Sequence, residues 1–166
     1  MKMSNSSINL INKYDNIIIL KTFSKFFAMP GIRAGYMIVQ EKLYNYISKI
    51  SNPYCVNEIG RQMAHVALND HNFIKETLLL NKEVKSSFLV PWNNLIISHT
   101  SNTVPIFLLH HKNHNIDLQK EFAKFNIKVV SGCDYMNLAK NYARLRIPKK
   151  ENFKKVLQAF EYIDKL

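Results

Sequence analysis

Cysteine is nearly absent from these 166 residues: Cys55 and Cys133 stand far apart, without redox or metal-ligand spacing. That excludes a disulfide framework and leaves no zinc motif, so both read as reduced packing residues. Long apolar runs are missing as well. No stretch approaches the length needed to span a bilayer, and Met1-Lys2-Met3-Ser4-Asn5-Ser6-Ser7 lacks the apolar core of a signal peptide, which makes a cytoplasmic location the expectation. Acidic residues are scarce, 12 against 23 lysines and arginines, for a net charge of +11. Such an excess raises the question of nucleic-acid binding through counterion release. The lysines are scattered, however, and the densest group, Lys149, Lys150, Lys154 and Lys155, reads as the solvated face of the last helix. Neither a nucleic-acid partner nor a membrane partner is expected.

What is present is enough apolar material, 47% of the chain, for a real core. One stretch concentrates reactive groups. Residues 22 to 36, Thr-Phe-Ser-Lys-Phe-Phe-Ala-Met-Pro-Gly-Ile-Arg-Ala-Gly-Tyr, place a lysine, two hydroxyls, two glycines and an arginine in one bend. The β-branched run from Asn16 to Leu20 ahead of it predicts a strand, so Lys25 sits at a strand's carboxyl end, where α/β proteins put their chemistry. Phe23, Phe26, Phe27 and Met29 would disfavour a charged amine by desolvation, and a nearby cation would push the same way. Pro30-Gly31 supplies a turn that can carry Arg33 back toward the lysine. A guanidinium fork with the Thr22 and Ser24 hydroxyls suits a phosphate group. An amine able to form a Schiff base beside a phosphate cradle meets the needs of pyridoxal 5'-phosphate.

The pattern Thr-Phe-Ser-Lys-x5-Gly-x-Arg-x-Gly resembles the lysine segment of fold-type-I pyridoxal-phosphate enzymes, nearest the class I/II aminotransferases and, among them, the histidinol-phosphate aminotransferase group that includes threonine-phosphate decarboxylase. Phe26 departs from it, since many relatives carry a small residue after the lysine. Asn52-Pro53-Tyr54-Cys55-Val56-Asn57 is similar to the family's Pro-x-x-Val-Asn loop, which makes Asn57 a candidate site residue; a cap on the following helix is its plain structural alternative. Ser98-x-x-Ser101-Asn102 resembles the family's entry to the small domain, with Thr103 in place of an aromatic. Asn141-Tyr142-Ala143-Arg144-Leu145-Arg146-Ile147, followed by Glu151-Asn152, resembles the segment whose arginine grips the substrate's α-carboxylate. Arg144 and Arg146 share one face of a strand and Leu145 and Ile147 the other; register favours Arg144 for that role. Ser131-Gly132-Cys133-Asp134-Tyr135 resembles a decarboxylase-branch segment, but Ser131 stands where arginine is expected, which implies a weaker grip on a phosphorylated substrate. His110, His111 and His114 lack helical ligand spacing and a carboxylate partner, and read as solvent-exposed turn histidines.

The order of elements predicts an α/β chain. A short helix over residues 6 to 14 precedes the first strand, a second strand covers Ala34 to Val39, and a helix follows from Glu41 to Ile50 with Leu43, Tyr46, Ile47 and Ile50 inward. Helices over 58 to 69 and 71 to 89 come next, the second burying Phe73, Leu80, Val84 and Phe88. Strands at Leu95 to Ser98 and Val104 to His110, a helix from Ile116 to Phe125, strands at Ile127 to Val130 and Tyr142 to Ile147, and a helix from Glu151 to Lys165 suit a small sheet covered on one face. The resemblance implies the C-terminal portion of the fold-type-I PLP-dependent transferase fold: residues 1–52 a remnant of the large cofactor-binding domain, 53–90 linking helices, and 91–166 a small α/β domain. Two strands cannot make a buried parallel sheet, so chain is expected upstream. The family motifs for the ring-stacking aromatic and the aspartate at the pyridine nitrogen are not found here. The implied activity is transamination of an amino-acid substrate or its α-decarboxylation by a homodimer, with a catalytically incompetent C-terminal fragment as the alternative.

Overall fold

The computed structural model describes residues 7–98, 100, 101 and 104–166. They gather into two units, one running to His71 and one from Asn72 to Leu166. The expectations placed on Asn102 and Thr103 lie outside the described residues.

In the first unit a 3-10 turn, Ser7–Leu10, precedes β1 (Ile19–Thr22), and a second 3-10 turn, Pro30–Ile32, precedes β2 (Gly35–Ile38). The two strands pair antiparallel, Ile19 with Ile38 and Thr22 with Gly35. The first strand therefore begins later than the run Asn16 to Leu20 suggested, because residues 15 and 16 turn and only the stretch that meets β2 is held in a ladder. Gly35 is required at the close of the hairpin: a Cβ there would lie 2.7 Å from the Lys21 carbonyl oxygen. Helix α1 (Glu41–Ile50) carries Glu41 in its first turn and Lys49 in its last, matching the helix dipole. Its periodicity points Leu43 and Ile47 inward as expected, but Tyr46 and Ile50 are exposed, since none of the described residues of this unit covers that flank of the helix. Helix α2 (Glu58–Asn69) starts at the Asn57 cap, and Arg61 clamps Glu58 one turn on. Among the described residues of this unit, the buried apolar side chains are Ile11, Phe23 and Ala34.

The second unit holds the main core. Its four strands, β3 (Leu95–Ile97), β4 (Ile106–His111), β5 (Val130–Ser131) and β6 (Tyr142–Arg146), form an antiparallel sheet in the order β3-β4-β6-β5. Alternation along β4 and β6 buries Phe107, Leu109, Ala143 and Leu145 against helices, while Ile106, Leu108, Tyr142 and Arg144 stay half-buried on the opposite face. The helices are α3 (His71–Phe88), α4 (Leu118–Ala123) and α5 (Phe153–Ile163). Positions 156, 159, 160 and 163 of α5 and 81, 84, 85 and 88 of α3 follow the i, i+3, i+4, i+7 spacing of a buried stripe. Phe160 is its centre, with the rings of Phe88, Trp92, Phe122 and Phe107 at 4.9, 5.5, 5.6 and 6.3 Å. Phe73, expected on this stripe, is exposed; it lies about two turns ahead of the segment of α3 that meets the core. Two further expectations fail locally. His111 is buried at the end of β4, where its Nδ1 accepts from the Asn113 N–H, and His110 stacks on Tyr142, because the strand runs on through both residues and only His114 reaches the exposed turn. Cys55 and Cys133 are exposed free thiols, not packing residues, each sitting in a turn.

Candidate active site

Thr22 ends β1, and its hydroxyl accepts from the Ser24 N–H at 3.2 Å and bonds the Ser24 hydroxyl at 2.9 Å. This local bond turns the chain out of the strand. The backbone then folds on itself: Phe23 N–H donates to the Ala34 carbonyl, Met29 N–H to Phe23 and Ala28 N–H to Lys25. Two non-glycine residues, Ala28 and Arg33, adopt left-handed backbone angles, both at φ 54°, a conformation that costs free energy and persists where surrounding structure enforces it. Part of the enforcement is aromatic. Phe23, 2% exposed, packs its ring against Phe27 at 5.2 Å and Tyr36 at 5.8 Å, and Phe26 meets Phe27 at 5.1 Å.

Lys25 is half-buried in the bend that these rings pack, and among the described residues its ammonium has no ion-pair or hydrogen-bond partner. Arg33 is exposed and donates one Nη1–H to the Pro30 carbonyl at 2.9 Å, leaving its other N–H donors open to solvent. Thr22, Ser24 and Arg33 thus present hydroxyl and guanidinium donors from the same bend that carries a free amine. That donor set fits a phosphorylated aldehyde: donors for the phosphate, an amine for the carbonyl.

Asn57 is placed by α2. Its Oδ1 accepts from the Gly60 N–H at 2.7 Å and its Nδ2 donates to the Ile32 carbonyl at 3.1 Å. The side chain caps the helix and ties it to the turn that delivers Arg33. Gly60 makes the approach feasible, since a Cβ there would stand 2.8 Å from the Ile32 oxygen.

The second unit places the two strand arginines separately. Arg144 lies between Leu108 of β4 and Val130 of β5 in register. Its guanidinium carbon sits 5.7 Å from the Tyr135 ring centroid, a cation-π contact, and among the described residues no carboxylate pairs with it. Arg146 is exposed near the end of β6, opposite Ile106. Asn141, ahead of them, is buried and donates to the His111 carbonyl at 2.8 Å, fixing the start of β6.

Two residues passed unnoticed in the sequence. Lys85 is 1% exposed inside α3's buried stripe. Its Nζ donates to the carbonyls of Ser101 at 2.8 Å, Val104 at 3.1 Å and Thr100 at 3.3 Å, and to the Thr100 hydroxyl. Burial lowers its pKa below the ordinary lysine value. The signal was there, a lysine at a core position of a periodic helix. Asp164, one residue past α5, accepts from the backbone N–H groups of Asn93, Asn94 and Leu95 at 2.9, 2.7 and 2.9 Å. Burial alone would raise its pKa, but these donors outweigh it and hold the carboxyl below the usual range. No periodicity announces that contact.

The profile of the family described as aminotransferase class I and II matches residues 2–160. Histidinol-phosphate aminotransferase 2 of Legionella pneumophila strain Paris is 27% identical over 157 residues, which cover 94% of this chain and 42% of that protein. Among solved structures, the histidinol-phosphate aminotransferase from Clostridium acetobutylicum superposes with a TM-score of 0.81 at 26% identity, covering 99% of this chain and 50% of that one. L-threonine-O-3-phosphate decarboxylase from Porphyromonas gingivalis shares the fold, with a TM-score of 0.70 at 19% identity over 96% of this chain and 50% of its own. The chain spans half or less of the length of each of these proteins.

Proposed function

This chain belongs to the class I and II aminotransferases and folds as a part of the fold-type-I architecture, and from that premise we propose that it is the carboxyl-terminal part of a pyridoxal-phosphate enzyme acting on an amino acid. The observation that carries the reading is the half-buried Lys25 amine, without a partner among the described residues, in the same aromatic-packed bend as Thr22, Ser24 and Arg33. Lys25 is the residue that holds the cofactor covalently and afterwards moves the proton at the substrate's α-carbon. The Arg33 guanidinium and the Thr22 and Ser24 hydroxyls donate to the phosphate. When bound, pyridoxal phosphate supplies the electron sink that stabilises negative charge at that carbon. Arg144 receives the α-carboxylate through its paired N–H groups, with Arg146 as a second cation on the same face. Asn57 contributes by holding the Ile32 to Arg33 turn.

Transamination in the manner of the histidinol-phosphate aminotransferases is the leading reaction, and α-decarboxylation the alternative on the same residues. The division is into a cofactor-domain portion at 1–52, linking helices at 53–90 and a small domain at 91–166. Action in cytoplasmic amino-acid metabolism, as a homodimer, completes the proposal. A second reading, a fold without turnover, draws on the chain's half-length coverage of its relatives and on the apolar side chains left exposed around the lysine unit, Leu20, Ile59 and Val66 among them.

Titrating the chain with pyridoxal phosphate separates binding from its absence. A visible absorbance band should grow with cofactor, vanish in Lys25→Ala and need at least tenfold more cofactor in Arg33→Ala. An identical band in Lys25→Ala overturns the assignment. Turnover of an amino acid with a keto-acid acceptor then separates an enzyme from a binding fold.

A further inference from the structure

The buried stripe of α3 encloses a charge that the proposed chemistry does not use. Lys85 is 1% exposed, and among the described residues no carboxylate pairs with it. Its ammonium meets neutral oxygens instead: the carbonyls of Ser101, Val104 and Thr100 at 2.8, 3.1 and 3.3 Å, and the Thr100 hydroxyl.

The turn that supplies these oxygens holds them with bonds of its own. Val104 N–H donates to the Ser101 carbonyl at 3.0 Å and closes the turn. The Thr100 hydroxyl donates its proton to the Ile106 carbonyl at 3.2 Å, so the lone pairs of that oxygen are left for the ammonium. Ile106 is fixed in its turn by the ladder to Arg146. No second donor takes over from the lysine on this stripe. Asn81, one turn ahead, is buried, but its Nδ2 donates to no partner.

Carbonyl oxygens converging on one point can replace the hydration shell of a cation. Burial works against the charged amine, and acceptors aimed at that amine work in its favour. Withdrawing the charge leaves the oxygens facing an apolar stem, and acceptors shut away from a donor cost free energy. The shape is specific as well. A primary ammonium spreads three N–H groups from one nitrogen, whereas a guanidinium is planar and a quaternary ammonium has no N–H to give.

We propose that the turn from Thr100 to Val104 is a seat for a primary ammonium group, filled in this chain by Lys85 and open to a free alkylammonium when that side chain is cut back. The charge pins the entry of β4 to α3. Neither statement depends on the cofactor assignment.

The test uses the whole chain and thermal unfolding of wild type, Lys85→Met and Lys85→Ala. Methionine keeps an apolar stem without the charge, and alanine removes the atoms of one propylammonium ion. Buried cavities of that kind admit small ligands of matching shape, and a ligand that binds only the folded state raises the melting temperature. Both variants should melt several degrees below wild type. Propylammonium chloride should return at least half of the loss in Lys85→Ala, while 1-propanol and tetramethylammonium chloride at the same concentration should return none; wild type should not respond. Amide exchange at Val104 and Ile106 should quicken in Lys85→Met. A second measurement stands if Lys85→Ala does not fold: with lysine labelled at Nζ, wild type should show one ammonium signal protected from solvent exchange, absent from Lys85→Met. Equal rescue by propanol would reduce the seat to an apolar cavity, and equal rescue by tetramethylammonium would reduce it to an effect of ionic strength; either result overturns the proposal. So does a folded Lys85→Ala that ignores propylammonium, a Lys85→Met that melts with wild type, or the lack of a protected ammonium signal.

Discussion

Two carboxylates with lowered pKa values show how environment sets the worth of a charge. Glu58 is exposed; Arg61, helped by Gln62, holds it down to about 2, yet solvent screening leaves such a pair little effect on stability. Asp164 is buried and satisfies three backbone donors that α5 and β3 cannot otherwise share. Removing it strands those N–H groups. Asp164→Ala should cost roughly 3 kcal/mol, measured by urea unfolding, from hydrogen bonds to a charged acceptor. The pH dependence has a definite sign. A carboxyl whose folded pKa lies below its unfolded value stabilises the fold above the ordinary carboxyl range, and the benefit is lost as pH falls through the folded value. Wild type should therefore lose stability faster than Asp164→Ala below about pH 4; parallel acid profiles would contradict this.

At the scale of elements, helices were more legible in the sequence than strands. Apolar periodicity located α1, α2 and α3 to within a residue of the observed ends. The strands came out shorter than predicted, down to Val130–Ser131 for β5, because ladder length is decided by the partner strand and not by the residues themselves. The same limit explains Tyr46, Ile50 and Phe73: a period of 3.6 identifies a face but cannot say what covers it. The bend around Lys25 was legible because turn formers and reactive groups are neighbours in sequence. The Lys85 contacts were not, since they join α3 to a loop beyond β3. Gly35 ties hairpin geometry to the site. In Gly35→Ala the new Cβ meets a backbone oxygen that cannot rotate away, so β1 and β2 must part at a cost of about 1–3 kcal/mol. Hydrogen exchange should then quicken at Leu20 to Phe23 and stay unchanged in β4 and β6. Unaltered exchange in β1 would refute the close approach.

Across the whole molecule the core is unequally shared. The second unit buries a continuous cluster running from Val84 through Phe107 and Ala143 to Ile163, whereas the first buries few apolar side chains and leaves Leu20 and Ile50 74% and 86% exposed. Regions with few buried apolar contacts open at low free energy. Native-state exchange should accordingly find the slowest amides in β4, β6 and α5 and none of that class in β1 or α1; uniform protection would contradict it. Low local stability around the lysine makes covalent capture more telling than equilibrium affinity. The most direct measurement is to incubate the chain with pyridoxal phosphate, reduce with borohydride, digest, and locate the modified residue by mass spectrometry. A pyridoxyl group confined to Lys25, and lost when Arg33 is replaced by alanine at the same cofactor concentration, is the predicted result. Labelling spread over surface lysines with Lys25 unmodified would contradict the account.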